Sequence, residues 1–404
     1  MLARRHLLKL LGSLPFVGLG SHQIIRATEN PATADAISRD FFKELGVRTF
    51  INAAGTYTSM TGSLMPQEVV EAIQFGTTQY VDLDELQDKV GLRIAQLLDC
   101  EDATVTSGCF GAMSIAMAGL MTGMDPQKVS QLPNTKGMPD QVIIQKSHDI
   151  GYKQALTNVG AKVIFVETAE QLQKAISKKT ALLWFLNAHT HLGEIKYQEW
   201  VDLGKQYHVP TLIDCAADVP PVENLFKFQK MGFDLVTFSG GKGLRGPQSA
   251  GLLYGKKKYI QAARLHTPPR GQTIGRGMKV NKEEILGMLV ALELYLKTDH
   301  QSQWKFWEYQ IELIKKNALS VSGVEAQVHV PPHANHVPSL KLFWDQSKVA
   351  ITPNEFREKL RLGHPSIATV GNTEHVGITT WMMAPGQERI VARRIQELFR
   401  QFAI

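Results

Sequence analysis

The sequence predicts an α/β protein in which a large, doubly wound and mainly parallel sheet precedes a smaller C-terminal α+β domain. Three observations predict it. Apolar, β-branched runs recur between residues 140 and 255, each about long enough for one strand. Amphipathic stretches such as "AEQLQKAISK" and "YQEWVDLGKQYH" separate most of them, as helices on both faces of a buried parallel sheet would. After about residue 280 the alternation stops. Two long helical patterns, four strand-like runs and a last helix follow.

The chain has 404 residues, suited to about two or three domains. With 44% hydrophobic and 20% charged residues it has the composition of a soluble globular protein, and no run in its main body is long and apolar enough to cross a membrane. The first 27 residues read "MLARRHLLKLLGSLPFVGLGSHQIIRA". A basic start, a short apolar run and Ala27 near a cleavage point describe an export signal. The pair Arg4-Arg5 followed by "HLLK" resembles the twin-arginine type, which carries proteins already folded. Export to the periplasm by the twin-arginine machinery is therefore expected, and a cofactor loaded beforehand with it. Lys9 interrupts the apolar run, which argues against an uncleaved anchor and stable membrane insertion.

Those 27 residues hold four cations and no acid, so without them the net charge falls from +6 to +2. No arginine-rich run or aromatic-interleaved basic patch remains, and nucleic acid is not an expected partner. Three cysteines, Cys100, Cys109 and Cys215, make no disulfide framework. Their neighbours are apolar or small, which reads as buried small residues.

The expected organisation is a signal at 1–27, an N-terminal segment at 28–80, a large domain at 81–280 and a small one at 281–404. Strands of the large domain are expected at 141–145, 161–167, 180–187, 211–216, 234–240 and 250–255. The small domain begins with the helical patterns "NKEEILGMLVALELYLK" and "SQWKFWEYQIELIKKNAL" and has strand-like runs at 324–330, 339–345, 366–371 and 374–383. The first of those helices, near 282–297, joins the two domains.

Ligands of such sheets sit beyond the strand C-termini, and four of these ends carry a conspicuous residue. Ser107-Gly108-Cys109 leads into a long helix of small residues, where backbone N–H groups and the helix dipole suit a phosphate; an ordinary serine N-cap has the same sequence. His148 follows the run 141–145, where a lone histidine is usually structural. Asp214 closes a run otherwise free of charge, either hydrogen-bonded or set against a bound cation. Lys242 stands among glycines in "FSGGKGLRG", with Ser239 three residues before it. Together they fit one cofactor. Pyridoxal phosphate needs a lysine for its Schiff base, a carboxylate for its ring nitrogen and an anion site for its phosphate. The order of anion loop, ring-stacking residue, aspartate and then lysine about 28 residues on is that of the aspartate-aminotransferase-like fold, fold type I.

A closer resemblance lies in "GVRTFINAAGTYTSMTGSLMP", "VDLDELQDKVGLRIAQLL", "ATVTSGCFGAM", "FSGGKGLRGPQSAGLL" and "GRGMKVNKEEILGMLVALELYL". These segments resemble the family of bacterial selenocysteine synthase (L-seryl-tRNA selenium transferase), including short relatives such as D-glucosaminate-6-phosphate ammonia lyase. The likeness runs from about residue 40 to the C-terminus. It implies that Lys242 is the Schiff-base lysine, Asp214 the partner of the pyridinium nitrogen, Ala216 the residue under the ring and His148 the one stacked above it. Ser107, Gly108, Cys109 and Ser239 are implied phosphate binders. Arg276 and Lys279, in "GRGMK", are implied to face the site, and a homodimer or larger homo-oligomer is implied. Two departures follow. No N-terminal tRNA-binding domain is present, which argues against selenium transfer to seryl-tRNA. The segment "HPSIATVGNTEHVGI" lacks the arginine that many relatives carry after "P-x-I", so the residue that takes the substrate's carboxylate is not legible.

The expected function is a pyridoxal-phosphate-dependent lyase that eliminates across Cα and Cβ of a small amino acid or amino sugar acid and releases ammonia. Lys242 and Asp214 carry the chemistry beside His148. Transferases, aminotransferases, racemases and aldolases of the same fold share the carbanion and stay open. So does a non-catalytic binding protein of this fold, although the lysine and aspartate it would have lost are both present. "NAHTHLGE" raises a further alternative, a metal-dependent hydrolase built on His189, His191 and Asp214. No third ligand with convincing spacing is nearby, so no metal is expected, and His189 is instead a candidate for the substrate pocket.

Overall fold

A computed structural model describes residues 39–404. The expected signal at 1–27 lies outside the described residues, as do residues 28–38. Of the described residues, those up to Thr49 group by themselves. Their described part is one helical turn, Phe41–Glu44, capped by Asp40, whose carboxylate accepts from Lys43 N at 3.0 Å. Residues Phe50–Ile404 form the second unit.

That unit opens with a two-residue strand, β1 (Ile51–Asn52). Seven strands then build the main sheet: β2 (Asp102–Thr106), β3 (Gln141–Gln145), β4 (Lys162–Val166), β5 (Thr180–Leu186), β6 (Thr211–Asp214), β7 (Leu235–Ser239) and β8 (Gly251–Gly255). Their order is β2-β8-β7-β6-β5-β3-β4. All pairings are parallel except those of β8, which runs antiparallel to both β2 and β7. The apolar runs are continuous because both faces of the sheet are covered. Ile143, Phe185, Ile213 and Val236 belong to one buried cluster, and Val142, Trp184, Leu212 and Leu235 to another. Successive strand residues point to opposite faces, so neither face tolerates a polar run.

The helix Gly108–Thr122 follows β2 and is buried nearly all round. Its small residues make this possible: a side chain at Gly119 would collide with the backbone of Ala262 and Ala263. After the sheet come a short helix, Lys257–Arg264, and then the helix Lys282–Lys297, with a capping box between Asn281 and Glu284.

Four more strands, β9 (Val324–His329), β10 (Ser339–Trp344), β12 (Val370–Gly371) and β13 (Val376–Thr379), form an antiparallel sheet in the order β12-β13-β10-β9. The run expected as one strand at 366–371 is divided. Its first half, β11 (Ile367–Ala368), leaves that sheet and pairs in parallel with β1. Only its second half reaches β13. The N-terminal strand thereby docks on the C-terminal part of the chain: Ala53 N donates to Ala368 O at 2.9 Å, and Thr379 N to Ala53 O at 2.9 Å. The seven-stranded sheet falls within 81–280 and the four-stranded one within 281–404.

Candidate active site

The sheet register gathers the expected residues at one edge. β2, β3, β5, β6 and β7 all run the same way, so their C-terminal ends are neighbours. Asp214 sits beside Leu186 on one side and Thr237 on the other. Ser239 and Thr106 flank Gly251, which brings Ser239 close to the Ser107-Gly108-Cys109 turn.

Asp214 is buried, and its Oδ1 accepts one hydrogen bond, from Ala216 N at 3.0 Å. Burial pushes its carboxyl up to about 6, against the pull of that N–H and of the Lys242 charge. Lys242 is half-buried and lies within electrostatic reach of Asp214, Asp218 and Cys109. Its loop is held by backbone bonds: Gly240 N to Ala250 O at 2.8 Å, Arg245 N to Lys242 O at 3.0 Å and Gly246 N to Gly240 O at 2.8 Å.

The glycine after Lys242 has a steric reason. A side chain at Gly243 would lie inside contact distance of the Val219 carbonyl oxygen, and Val219 follows directly on the Asp214–Asp218 turn. Only glycine lets the lysine loop lie flat on that turn. Gly243→Ala is therefore expected to lower stability by about 1–3 kcal/mol and to reduce cofactor content, read from a thermal melt and the visible spectrum. A variant with wild-type melting and loading would refute this account of the loop.

His148 ends the short turn after β3 and is fully buried. Leu186 N donates to its Nδ1 at 3.2 Å, so the proton of the neutral ring lies on Nε2, which has no partner. Its ring stands edge-on to Phe185 at 4.5 Å. Burial, with a smaller push from His189, lowers the imidazole to about 4, so it is neutral at neutral pH and adds no cation beside Lys242.

The N-terminal turn of helix Gly108–Thr122 has Ser107 as its cap, but the serine hydroxyl makes no capping bond. Gly108 has φ +67°, and Thr106 Oγ1 donates to its carbonyl at 3.0 Å. Cys109 is buried, with Thr237 Oγ1 at 3.4 Å from its sulfur, and burial raises its thiol well above the usual range. Cys215 is raised likewise and Cys100 to about 12, both chiefly by burial. All three are free, and none has the character of a nucleophile.

Residues 154–277 match the model of the family described as Aminotransferase class-V. The chain is 26% identical over 373 residues to the D-glucosaminate-6-phosphate ammonia lyase of Salmonella typhimurium, covering 89% of this chain and 98% of that protein. It is 25% identical over 288 residues to the L-seryl-tRNA(Sec) selenium transferase of Caldanaerobacter subterraneus, covering 63% of this chain but only 58% of that one. The solved structure of a D-glucosaminate-6-phosphate ammonia-lyase superposes with a TM-score of 0.79 at 24% identity, over 91% of this chain and all of that one. The chain is a pyridoxal phosphate enzyme of fold type I.

The residues of this enzyme fit that cofactor. Asp214 is a buried carboxylate with one hydrogen bond, an arrangement that a cation stabilises. The Nε2 of His148 is a buried donor awaiting an acceptor. The helix turn at Gly108 keeps N–H groups that no side chain caps, as an anion requires.

The structure also places the remaining expected residues. Ala216 is half-buried and donates its N–H to Asp214. His189 is half-buried beside His148, with ring centroids 6.4 Å apart, and its Nδ1 is 2.8 Å from Ser147 O. His191 points elsewhere and stacks on His333 at 5.6 Å. Among the described residues, no group of three or more His, Cys, Asp or Glu side chains could hold a metal ion. Arg276 and Lys279 are exposed. Between them Met278 lies against Gly111, in the first turns of the helix that Ser107 caps.

One residue was missed. Asp218 is as buried as Asp214 and lies within electrostatic reach of the same lysine. Burial raises its carboxyl, opposed by the Asn187 side chain, Ala334 N–H and Lys242. Ala334 N donates to it at 2.9 Å, and Tyr197 OH donates to Asn187 Oδ1 behind it. The signal was a second acid four residues after the first in "DCAAD". Its partners on 334 and 187 could not be read from that spacing.

Proposed function

We propose that this enzyme is a lyase that removes ammonia from a small amino acid or amino sugar acid by elimination across Cα and Cβ. The observation that carries the reading is the convergence of Lys242 with the buried Asp214, whose strand partner Leu186 also bonds to His148, a residue with its Nε2 unpartnered. The relative whose name specifies ammonia release, at 26% identity over nearly its full length, supports lyase chemistry over the alternatives.

Lys242 would hold the cofactor's carbonyl carbon, Asp214 its ring nitrogen, and the turn at Ser107-Gly108-Cys109 with Ser239 its phosphate. Bound there, the cofactor supplies an electron sink for the carbon that bears the substrate's nitrogen. Lys242 Nζ, when not bound to the cofactor, would serve as the base that takes the substrate's Cα proton. Asp214 would set negative charge against the cofactor's ring nitrogen, and His148, neutral at neutral pH, would add no charge there. The Cβ–leaving-group bond then breaks with its electron pair on the leaving group. Water releases ammonia and leaves a keto acid. Asp218, close to the same lysine, balances its charge and anchors the turn that carries Asp214.

The residue order of positions 1–27 supports export of the folded protein to the periplasm, which fractionation of producing cells tests. The site geometry supports a homo-oligomer only through the exposed Arg276 and Lys279, which suit a neighbouring subunit's site.

The decisive experiment is the visible spectrum of the purified protein before and after borohydride, followed by amino acids and amino sugar acids as substrates. A bleachable visible band with matched release of ammonia and keto acid is expected. Amino transfer without free ammonia would replace lyase by transferase. No band after adding pyridoxal phosphate would overturn the reading.

A further inference from the structure

The substrate of the proposed reaction carries a carboxylate on the carbon that loses its proton, and the sequence offers no arginine after "HPSI" to receive it. Two other groups do present themselves. Trp381 Nε1 and Thr379 Oγ1 belong to side chains only 7% exposed, and neither atom has a hydrogen-bond partner. A buried donor left unmade costs free energy, so a pair of them in one place needs an explanation.

They face one point. A Cβ built on Gly55 would lie 3.7 Å from Trp381 Nε1, 3.9 Å from Thr379 Oγ1 and 3.8 Å from the Tyr57 ring. A side chain at that point would touch all three groups, and Gly55 cannot readily acquire one, since its φ is +114°. The backbone at this point is fixed independently. Asn52 Oδ1 accepts from Ala54 N and Gly55 N at 3.0 Å each, and Asn52 Nδ2 donates to Gly55 O at 3.0 Å. Both donors therefore lie together against a rigid stretch of backbone, with the Tyr57 ring beside them.

The same surface is tied to the lysine site at both ends. Thr56 Oγ1 bonds to Asn335 Oδ1 at 2.9 Å, and Asn335 N donates to Ala217 O at 2.9 Å, within the turn between Asp214 and Asp218. In the other direction Ser63 Oγ donates to Gly241 O at 3.0 Å, next to Lys242. Trp381 also lines a cavity of about 270 Å³ with Gly243 and Leu244, the two residues after the lysine.

We propose that Trp381 and Thr379 form the subsite for the substrate's carboxylate, two neutral donors standing where an arginine would otherwise serve. The indole N–H only donates, and an ionised carboxylate only accepts, through two oxygens. A hydroxyl can donate to the second oxygen. Hydrogen bonds to a charged acceptor are about twice as strong as neutral ones. In a buried site, two of them hold a carboxylate without the desolvation of a guanidinium. The ligand class is a 2-amino acid with a free carboxylate. This subsite rests on the lyase reading above.

The test uses the full chain loaded with pyridoxal phosphate and titrated with D- and L-alanine and with the corresponding alaninamides. Alanine has no leaving group at Cβ, so binding is read without elimination, by the shift of the visible band and by tryptophan fluorescence. Wild type is expected to bind one alanine enantiomer more tightly than its amide. Thr379→Val and Trp381→Phe, which keep size and shape, should each weaken alanine by about tenfold or more and change alaninamide by less than about twofold. Thr379→Val removes an unpartnered hydroxyl, so its melting temperature should equal or exceed that of wild type; lost affinity is then not lost folding. Unchanged alanine affinity in both variants overturns the proposal, as does equal weakening of alanine and alaninamide, or a loaded wild type that does not prefer alanine to its amide. A wild type with no visible band instead overturns the underlying reading, a separate and recognisable outcome.

Discussion

Lys242→Ala is expected to abolish the borohydride-sensitive visible band and to lower turnover by about 10³-fold or more. The magnitude follows from losing both the covalent attachment point and the base at Cα, of which general base catalysis alone contributes about 10²–10⁴-fold. The loss should come without collapse of the loop. Its geometry is set by backbone bonds at 240, 245 and 246, none of which involves the lysine side chain. The substitution does remove a cation whose charge lowers both Asp214 and Asp218. The two carboxyls should therefore hold their protons to higher pH in the variant. Lys242→Arg separates the two functions of the residue. A guanidinium keeps the charge but does not deprotonate at accessible pH, so this variant should remain as inactive as the alanine one. Retained turnover in either variant would sink the assignment of Lys242; retained turnover only in Lys242→Arg would show that charge, and not the amine, is what matters.

The parts of the fold legible in the sequence are those that burial dictates. The strands β3 to β8 each lie within one or two residues of the run that announced them; for all but the partly exposed edge strand β4, the reason is that a strand covered on both faces must be apolar. The division of 366–371 was not legible. Both halves are extended and apolar, and what separates them is a pairing with Ile51–Asn52, more than 300 residues away in sequence. The candidate site divides along the same line. Lys242, Asp214 and His148 stand out because each is a polar residue at the end of an apolar run. Asp218 was overlooked because its significance comes from Ala334 and Asn187, on distant segments. Trp381 and Thr379 look like ordinary residues of a strand and its end. Only the absence of any partner, visible once Gly55 is set against them, marks them out.

Asp214→Asn is expected to act in opposite directions on stability and on catalysis. Wild-type Asp214 is held at about 6 in the folded protein, against about 3.9 in an unfolded chain. A raised carboxyl means that the folded state binds the proton more tightly, so the group costs stability wherever the unfolded chain is already ionised. The cost is nil below about pH 4, grows as pH rises from about 4 to 6, and levels off above that at about 3 kcal/mol. Asparagine carries no charge to bury and can still accept the Ala216 N–H through its Oδ1. Cofactor-free Asp214→Asn should therefore melt at the same temperature as wild type near pH 4 and progressively higher towards pH 7. Titration of groups that do not interact with Asp214 cancels in the difference; Asp218 and Lys242, which do interact with it, contribute to the gap through the same buried charge. A gap that stays flat over this range would show that Asp214 is not desolvated. Loading should narrow the gap, because a cation set against the carboxylate relieves in wild type what the substitution relieves by itself. A gap that loading leaves unchanged would mean that Asp214 does not face the cofactor. Turnover should fall by about 10²-fold or more, the usual loss when a preorganised charge is removed from a buried site. A buried, singly hydrogen-bonded carboxylate thus lowers the stability of the empty fold, and the function proposed for it gives the reason why it stands there.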